Sequence, residues 1–304
     1  MDFATSVETD ELISEALIAC ADFLGCSNPK EIAFGQNMTS LNIQLATALS
    51  RTWGHEDEVV VTKLDHDGNV RPWVLAAEWS GAKIRKVEIN PDDCTLDMNS
   101  LESCINERTV LVAVGASSNL SGTNNDIKKI VNICRSYGAE VVIDAVHYAP
   151  HSLIDVEEIG CDFLLCSPYK FFGPHQGILW GKEKRMSELP VAKLRVATEE
   201  IPFRWMTGTQ SHEGMAGTTA AVNYFAWIGR EYAGKYQIEN KYKNERTKFV
   251  HAALDYLFEY EKLLTIDLIE GLQNIKNVQV QGITEKNALD RRLPTVSFSV
   301  RSDT

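Results

Sequence analysis

Short, continuous runs of valine, isoleucine and leucine alternate with segments of helical periodicity from the N-terminus to Trp180. Strands of this kind are buried on both faces, and helices that alternate with them cover a parallel sheet. The pattern therefore predicts an α/β fold with a mostly parallel sheet covered by helices on both faces. The predicted strands are residues 31–34, 58–61, 83–87, 110–114, 140–143, 162–166 and 177–180. The predicted helices are residues 9–25, the segment after Thr39, and residues near 70–80, 99–106, 124–137 and 156–160.

The pattern changes after Gly217. Residues 220–232 and 243–264 have the periodicity of long helices, and residues 278–280 and 295–300 have that of strands. We therefore expect a large α/β domain over residues 1–235. Connecting helices and a small α+β domain, incomplete at residue 304, are expected over residues 236–304.

Charge and cysteine content limit the classes of protein to which the chain can belong. The net charge is −12 without any block of lysine or arginine, so neither nucleic acid nor an anionic membrane surface is expected as a partner. No run of about 18 apolar residues occurs, which argues against a membrane span. The seven cysteines form no Cys-x-x-Cys pair, a pattern typical of reduced thiols in the cytoplasm rather than of disulfides or zinc sites.

Lys170 and Asp144 are the most informative candidates for a functional site. Lys170 follows the apolar run that ends at Cys166, and Asp144 follows the run that ends at Ile143. A lysine and an aspartate at the exits of two buried strands are the pair that pyridoxal phosphate requires, for a Schiff base and for its ring nitrogen. Taken singly, Lys170 also fits an exposed surface lysine and Asp144 a helix cap or a solvated loop acid.

Three further candidates follow predicted strands. The stretch from Gly35 to Thr39 starts a helix, where backbone N–H groups and a hydroxyl suit a phosphate, although a plain N-cap explains it as well. His66 could stack on a cofactor ring and Asn119 could bond its phenolic oxygen, although each alone fits a polar turn residue. Because open α/β sheets bind ligands at the C-terminal ends of their strands, the five candidates support one another.

With these residues in place, the sequence resembles the class V aminotransferases of fold-type I, and within them the cysteine desulfurase-like subgroup. The matching segments occur in the family's order between about residue 8 and residue 230. They are Phe34-Gly-Gln-Asn-Met-Thr39, Leu64-Asp-His-Asp-Gly-Asn69, Ser118-Asn-Leu-Ser-Gly122, Ile143-Asp-Ala-Val-His-Tyr-Ala-Pro-His151, Cys166-Ser-Pro-Tyr-Lys-Phe-Phe-Gly-Pro-His175 and Thr207-Gly-Thr-Gln-Ser-His-Glu-Gly214.

The resemblance implies a role for each matching residue around the cofactor ring. Lys170 would form the aldimine with pyridoxal phosphate and act as the general base. Asp144 would pair with the pyridine nitrogen, and His66 would stack on the ring. Asn119 and His147 would contact the phenolic oxygen. His147 stands where the family's desulfurases often have glutamine.

The resemblance also implies a phosphate site and a homodimer. The Met38 backbone, Thr39 and Ser167 would hold the phosphate of the chain's own cofactor. Gly208 and Thr209 would reach the phosphate site of a neighbouring subunit. Where the family often has a histidine that contacts the phosphate, this chain has Tyr169.

The predicted activity is that of an amino-acid-processing pyridoxal phosphate enzyme, first of all the sulfur transfer or C–S bond cleavage of a cysteine desulfurase. Transamination is the second prediction. A truncated, inactive homologue that binds the cofactor or a partner without turnover is the third. The persulfide-forming cysteine and the carboxylate-binding arginine of the family would lie beyond residue 304, and none of the seven cysteines is assigned as the sulfur acceptor.

Overall fold

The structure is a computed structural model that describes residues 3–234 and 244–301. A seven-stranded sheet forms its centre, and two short two-stranded sheets lie outside it. The strands are β1 (Ile32–Gly35), β2 (Glu58–Thr62), β3 (Lys83–Val87), β4 (Ile89–Asn90), β5 (Thr95–Leu96), β6 (Thr109–Gly115), β7 (Glu140–Asp144), β8 (Phe163–Cys166), β9 (Gly177–Gly181), β10 (Val278–Val280) and β11 (Phe298–Val300). The helices are α1 (Ala4–Phe23), α2 (Met38–Ser50), α3 (Arg71–Ser80), α4 (Met98–Cys104), α5 (Ile127–Ser136), α6 (Val156–Ile159), α7 (Glu183–Glu188), α8 (His212–Tyr232) and α9 (Glu245–Gln273).

The central sheet has the strand order β1-β9-β8-β7-β6-β2-β3. Strands β3, β2, β6, β7 and β8 are mutually parallel, whereas β9 is antiparallel to both of its neighbours, β8 and β1. Strand β1 therefore runs in the same direction as β8, and every strand of this sheet except β9 ends at the same edge. The predicted mostly parallel α/β fold is confirmed.

The predicted helix over residues 220–232 starts too late. Helix α8 begins at His212, because the Ser211 hydroxyl caps it by accepting a hydrogen bond from the Gly214 N–H at 3.2 Å. Such a cap satisfies a backbone donor that the first turn of a helix leaves unpaired. Gly214 and Gly217, in the first two turns, weaken the helical pattern in the sequence.

The C-terminal part of the chain also differs from the predicted bounds. Helix α9 continues past Leu264 to Gln273, because Ile269 near its end is buried in a small apolar cluster with Ile283 and Leu289. The predicted strand over residues 295–300 is confined to β11. The predicted helix start at residue 243 and the predicted domain boundary between residues 235 and 236 lie outside the described residues.

The main apolar core lies on the central sheet and beneath α1, α8 and the first half of α9. Val250, Ala253 and Leu254 of α9 are buried in this core, so the start of the helix that leaves the α/β layer is part of it. Within residues 3–234 and 244–301, no helix combines the length and the apolar character that a membrane crossing requires.

Glu58 at the start of β2 is fully buried and forms an ionic cluster at the edge opposite the ligand-binding end of the sheet. Its Oε1 lies 2.9 Å from both Arg85 Nη2 and Arg108 Nη2, and its Oε2 accepts hydrogen bonds from Arg85 Nε at 3.0 Å and Asn106 Nδ2 at 2.9 Å. The Arg85 hydrogen bonds are the main cause that lowers the pKa of Glu58 from 4.5 to about 2. Burial opposes that shift.

We expect Glu58→Gln to lower the free energy of unfolding at pH 7 by about 1–2 kcal/mol. This is less than the pKa shift alone implies, because both arginines are half exposed and solvent screens their charges. The folded-state pKa lies below the unfolded one, so the wild-type advantage shrinks as the pH falls from about 4.5 to about 2. Urea unfolding at neutral and acidic pH measures this, with the exposed Glu102→Gln as the control. A deficit that does not change with pH would contradict the assignment.

Candidate active site

The order of the strands creates a crevice at the C-terminal edge of the sheet. The chain passes from β2 through α3 to the outer strand β3, then returns to the other side of β2 as β6. A reversal of this kind separates the loops on its two sides and is where open α/β sheets bind ligands. Gly115 at the end of β6 is in register with Asp144 at the end of β7, so the exits of β2, β6 and β7 are neighbours.

A cavity of about 170 Å³ opens at this crevice. The residues that line it are Met38, Thr39, Asp65, His66, Gly115, Ser117, Asn119, Asp144, Val146, His147, Tyr169 and Lys170. The structure thus brings together these predicted site residues: Met38, Thr39, His66, Asn119, Asp144, His147 and Lys170. They come from five separate segments of the chain, which follow or end the strands β1, β2, β6, β7 and β8.

Lys170 ends a one-turn 3-10 helix, Pro168–Lys170, that follows β8. The next residue, Phe171, is buried, and its ring stacks on that of Phe23 in α1 with 4.5 Å between centroids. This contact anchors the turn to the core, so Lys170 extends from a rigid base. Lys170 itself is exposed and lines the cavity, with Nζ 5.7 Å from the centroid of the Tyr169 ring.

Asp144 is buried at the end of β7, with 9% of its surface exposed. Its Oδ1 accepts a hydrogen bond from the Val146 N–H at 2.9 Å, and no other side-chain hydrogen bond of Asp144 occurs among the described residues. Burial raises the pKa of Asp144 to about 6, while the Val146 N–H and the nearby His66 oppose the shift. A carboxylate held here without a strong cationic partner is suited to a ligand that brings a positive charge.

Asp65 is a cavity residue that the sequence reasoning did not single out. Its carboxylate crosses the crevice from the loop after β2 and accepts the Gly115 N–H, at 2.9 Å from Oδ1 and 3.0 Å from Oδ2. Asn69 Nδ2 also donates to Oδ2, at 3.0 Å. Burial raises the pKa of Asp65 to about 7, and the charge of Asp144 adds to the shift. The signal in the sequence was its position beside His66, at the exit of the same strand.

His66 and Asn119 lie in the loops after β2 and β6. His66 Nδ1 accepts the Gly68 N–H at 3.0 Å, so this residue shapes a turn and lines the cavity at the same time. The two interpretations of His66, turn residue and site residue, are therefore compatible. Asn119 is exposed where it lines the cavity.

The N-terminus of α2 contributes the start of a helix to the cavity wall. Asn37 is the N-cap, since its Oδ1 accepts the Ser40 N–H at 2.9 Å, and Thr39 therefore lies within the first turn. The Met38 N–H donates to the Oγ of the buried Ser167 at 3.1 Å, which joins α2 to the end of β8. Because the N–H groups of Met38 and Ser40 are already bonded, the N–H and the hydroxyl of Thr39 are the donors that this helix start presents to an anion.

His147 reaches the cavity from the segment after β7, and its Nε2 lies 2.9 Å from the Thr295 hydroxyl. Burial lowers the pKa of His147 to about 4, and the charges of His151 and Lys170 lower it further. The imidazole is therefore neutral at pH 7, with one nitrogen that donates and one that accepts a hydrogen bond.

Gly208 and Thr209 do not line this cavity. Both are exposed, and Thr209 lines a separate cavity of about 760 Å³ beside α2, together with His175, Gln176 and Trp205. Their assignment to the phosphate site of a neighbouring subunit stays a prediction, because the structure contains a single chain.

Comparison with known proteins identifies the family. A sequence profile described as "Aminotransferase class-V" matches residues 3–302. The chain belongs to the class V aminotransferase family. The probable cysteine desulfurase of Halalkalibacterium halodurans is 31% identical over an alignment of 252 positions, which covers 79% of this chain and 60% of the curated relative. The family resemblance expected from the sequence is confirmed.

Solved structures show that this class V aminotransferase homologue shares its fold with cysteine desulfurases. The apo cysteine desulfurase from Thermococcus onnurineus NA1 superposes with a TM-score of 0.83 at 24% identity and covers 99% of this chain and 70% of the other. A C-DES mutant with glycine covalently linked to the PLP cofactor gives a TM-score of 0.80 at 18% identity, with coverage of 100% and 76%. The chain spans 60% of the length of the first curated relatives that it matches.

Proposed function

We propose that this chain carries the cofactor-binding part of a pyridoxal phosphate-dependent enzyme of the cysteine desulfurase type. The observation that carries the proposal is that the amine of Lys170 and the buried carboxylate of Asp144 line one cavity at the strand reversal. Membership in the class V aminotransferase family and the names of the curated relatives support it.

The donor set in the cavity fits this cofactor. Asp144 offers a buried carboxylate oxygen to a ring nitrogen, the start of α2 offers the N–H and hydroxyl of Thr39 to a phosphate, and Lys170 offers a primary amine to an aldehyde. The Ser117 hydroxyl lies in the same wall, buried and without a hydrogen-bond partner among the described residues. Bound there, pyridoxal phosphate supplies an electron sink for the negative charge that develops at the α-carbon of an amino acid.

Each protein group then has a defined task. Lys170 would hold the cofactor through Nζ, and the freed amine would accept the α-proton of the substrate. Asp144 would keep the ring nitrogen protonated, and His66 would cover the ring. Asn119 and His147 would bond the ring oxygen. The phosphate would lie against the residues at the start of α2 and the end of β8, namely the Met38 backbone, Thr39 and Ser167.

In an assay of this chain, an external dithiol supplies the sulfur acceptor. None of the seven cysteines lines the cavity. Burial raises the pKa of the thiols of Cys20, Cys26, Cys104, Cys134, Cys161 and Cys166, which makes them poor nucleophiles. With L-cysteine and excess dithiol, desulfuration is expected to yield alanine and sulfide in equal amounts. The dithiol takes up the sulfur as a persulfide. Its second thiol then releases that sulfur as sulfide, and the two dithiol sulfurs are left as a disulfide. Pyruvate and ammonia in place of alanine would indicate β-elimination instead.

The cofactor site is tested by reductive trapping. We expect the purified chain with added pyridoxal phosphate to show a near-visible absorbance band that borohydride removes. Peptide mapping is then expected to place the reduced adduct on Lys170. A colourless protein, or label spread over exposed lysines such as Lys129 and Lys184, would contradict the proposal.

We also propose a homodimer in which Gly208 and Thr209 of each subunit approach the phosphate site of the other. Their exposure beside α2 and the neighbouring 760 Å³ cavity support this arrangement, because a second chain could occupy that space. Sedimentation velocity of the cofactor-loaded chain tests it. A monomer at the highest concentration that stays in solution would contradict it.

A further inference from the structure

A segment from the C-terminal part of the chain is joined to the wall of the cavity. The Leu293 N–H donates to the Gly122 carbonyl at 2.8 Å, and the Asn124 N–H donates to the Arg291 carbonyl at 2.8 Å. Gly122 has a φ of +72°, and a Cβ on it would lie 2.6 Å from the Thr295 carbonyl oxygen. Only glycine permits this approach, so residues 291–295 lie directly against the loop that carries Asn119.

Arg292 holds this segment in place from inside. The residue is buried, and its Nη1 donates to the carbonyls of Gln281 and Ile283 at 2.8 Å and 2.6 Å. Its Nη2 donates to the Thr295 carbonyl at 3.1 Å. A guanidinium is planar and rigid, so its hydrogen bonds to three carbonyls fix the backbone of Thr295 relative to that of Gln281 and Ile283.

The Thr295 side chain then reaches the cavity. Its hydroxyl lies 2.9 Å from Nε2 of His147, which lines the cavity, and no other side-chain hydrogen bond to that ring occurs among the described residues. A hydroxyl both donates and accepts, and a neutral imidazole bonded at Nε2 has its ring plane and its Nδ1 direction determined as well. Because Arg292 fixes the backbone of Thr295, the position of this hydroxyl beside His147 is fixed as well.

We propose that Thr295 is a positioning residue for His147, so that residues 291–295 complete the cofactor cavity from the C-terminal part of the chain. The proposal rests on the proposed function in one respect, namely that His147 contacts the cofactor. The orientation of the His147 ring by the Thr295 hydroxyl does not depend on the cofactor, so it can be measured in the cofactor-free chain.

The charged groups around His147 agree with a ring held in a neutral state. On one side Lys170 extends into the same cavity, and on the other the His151 ring lies 5.5 Å away, centroid to centroid. His151 Nδ1 is 2.9 Å from Glu261 Oε2 on α9. Proton uptake by His147 is opposed by Lys170 and by His151 when it is charged. Since burial is the largest cause of its low pKa, a ring that turned toward solvent would regain a higher pKa.

The test compares Thr295→Val with Thr295→Ser, since valine keeps the shape without the hydroxyl and serine keeps the hydroxyl. In the cofactor-free chain labelled with ¹⁵N-histidine, and assigned with His147→Gln, we expect the His147 ring signals of the wild type and the serine variant to stay constant from about pH 8 to about pH 5. In the valine variant we expect the Nε2 signal to shift and the ring to titrate at higher pH. We also expect the Kd for pyridoxal phosphate to rise about fivefold, the value of one hydrogen bond.

Unchanged His147 signals in the valine variant would overturn the inference, and so would a serine variant that behaves like valine while its thermal unfolding matches the wild type. The proposed function fails in a different way, through loss of trapping on Lys170 in the wild-type chain. Trapping on Lys170 with no effect of Thr295→Val on His147 would thus refute the positioning role alone. A Thr295→Val effect on His147 without trapping on Lys170 in the wild-type chain would refute the cofactor site alone.

Discussion

Replacing Lys170 by alanine is expected to abolish the borohydride-stable attachment of pyridoxal phosphate and to lower turnover of L-cysteine by about 10³-fold or more, because in the proposed function this residue would supply both the covalent contact and the general base. Lys170 is exposed and makes no ion pair among the described residues, so the free energy of unfolding is expected to change by less than about 0.5 kcal/mol. Absorbance, mass spectrometry of the reduced protein and alanine release measure the effect.

The matched control is Lys184→Ala, because Lys184 lies on α7 with 82% of its side chain exposed and away from the cavity. This variant is expected to retain the absorbance band, the modified peptide and the turnover of the wild type. If Lys170→Ala kept the absorbance band while Lys184→Ala lost it, the assignment of the cofactor lysine would be wrong.

Replacing Asp144 by asparagine is expected to change activity and stability in opposite directions. Turnover should fall by about 10²–10⁴-fold, because in the proposed function a neutral amide would no longer stabilise a positive charge at the ring nitrogen of the cofactor. The amide oxygen still accepts the Val146 N–H, so the local backbone is expected to keep its hydrogen bond. The loss is thus one of charge rather than of shape.

The cofactor-free Asp144→Asn chain is expected to be more stable than the wild type at pH 8, by about 1–3 kcal/mol. Burial raises the folded-state pKa of Asp144 from 3.8 to about 6, so the wild type loses stability as the pH rises through that range. At about pH 4 the two chains should be nearly equal, because Asp144 is then mostly protonated in the folded state. Chemical unfolding at both pH values measures the difference, and a variant that is less stable at pH 8 would contradict this account.

Exposed Asp10→Asn in α1 is the control for this pair of measurements, since it removes one negative charge without burial. It is expected to leave both turnover and the pH dependence of unfolding close to those of the wild type. An increase in stability at pH 8 that equalled the one for Asp144→Asn would assign the effect to the net charge of −12 instead.

Local sequence was sufficient for most of the central sheet. The strands around Val60, Val112 and Val142 are continuous apolar runs because they are buried on both faces, and that property is written in consecutive residues. Lys170, Asp144 and His66 were identified for a related reason, since polar residues at the exits of such runs contrast with their surroundings. Helix α8 was placed too late because a serine cap and two glycines do not produce an apolar period.

Sequence by itself thus determined the layered fold, the edge of the sheet that carries the site and the types of side chain found there, because burial and strand direction follow from local patterns. Tertiary structure alone decided that Asp65 bridges the crevice to Gly115 and that Thr295 reaches His147. These contacts join residues 50 and 148 positions apart. Their partners are set by strand order, by the close approach at Gly122 and by the buried Arg292, and none of these leaves a periodic signal along the chain.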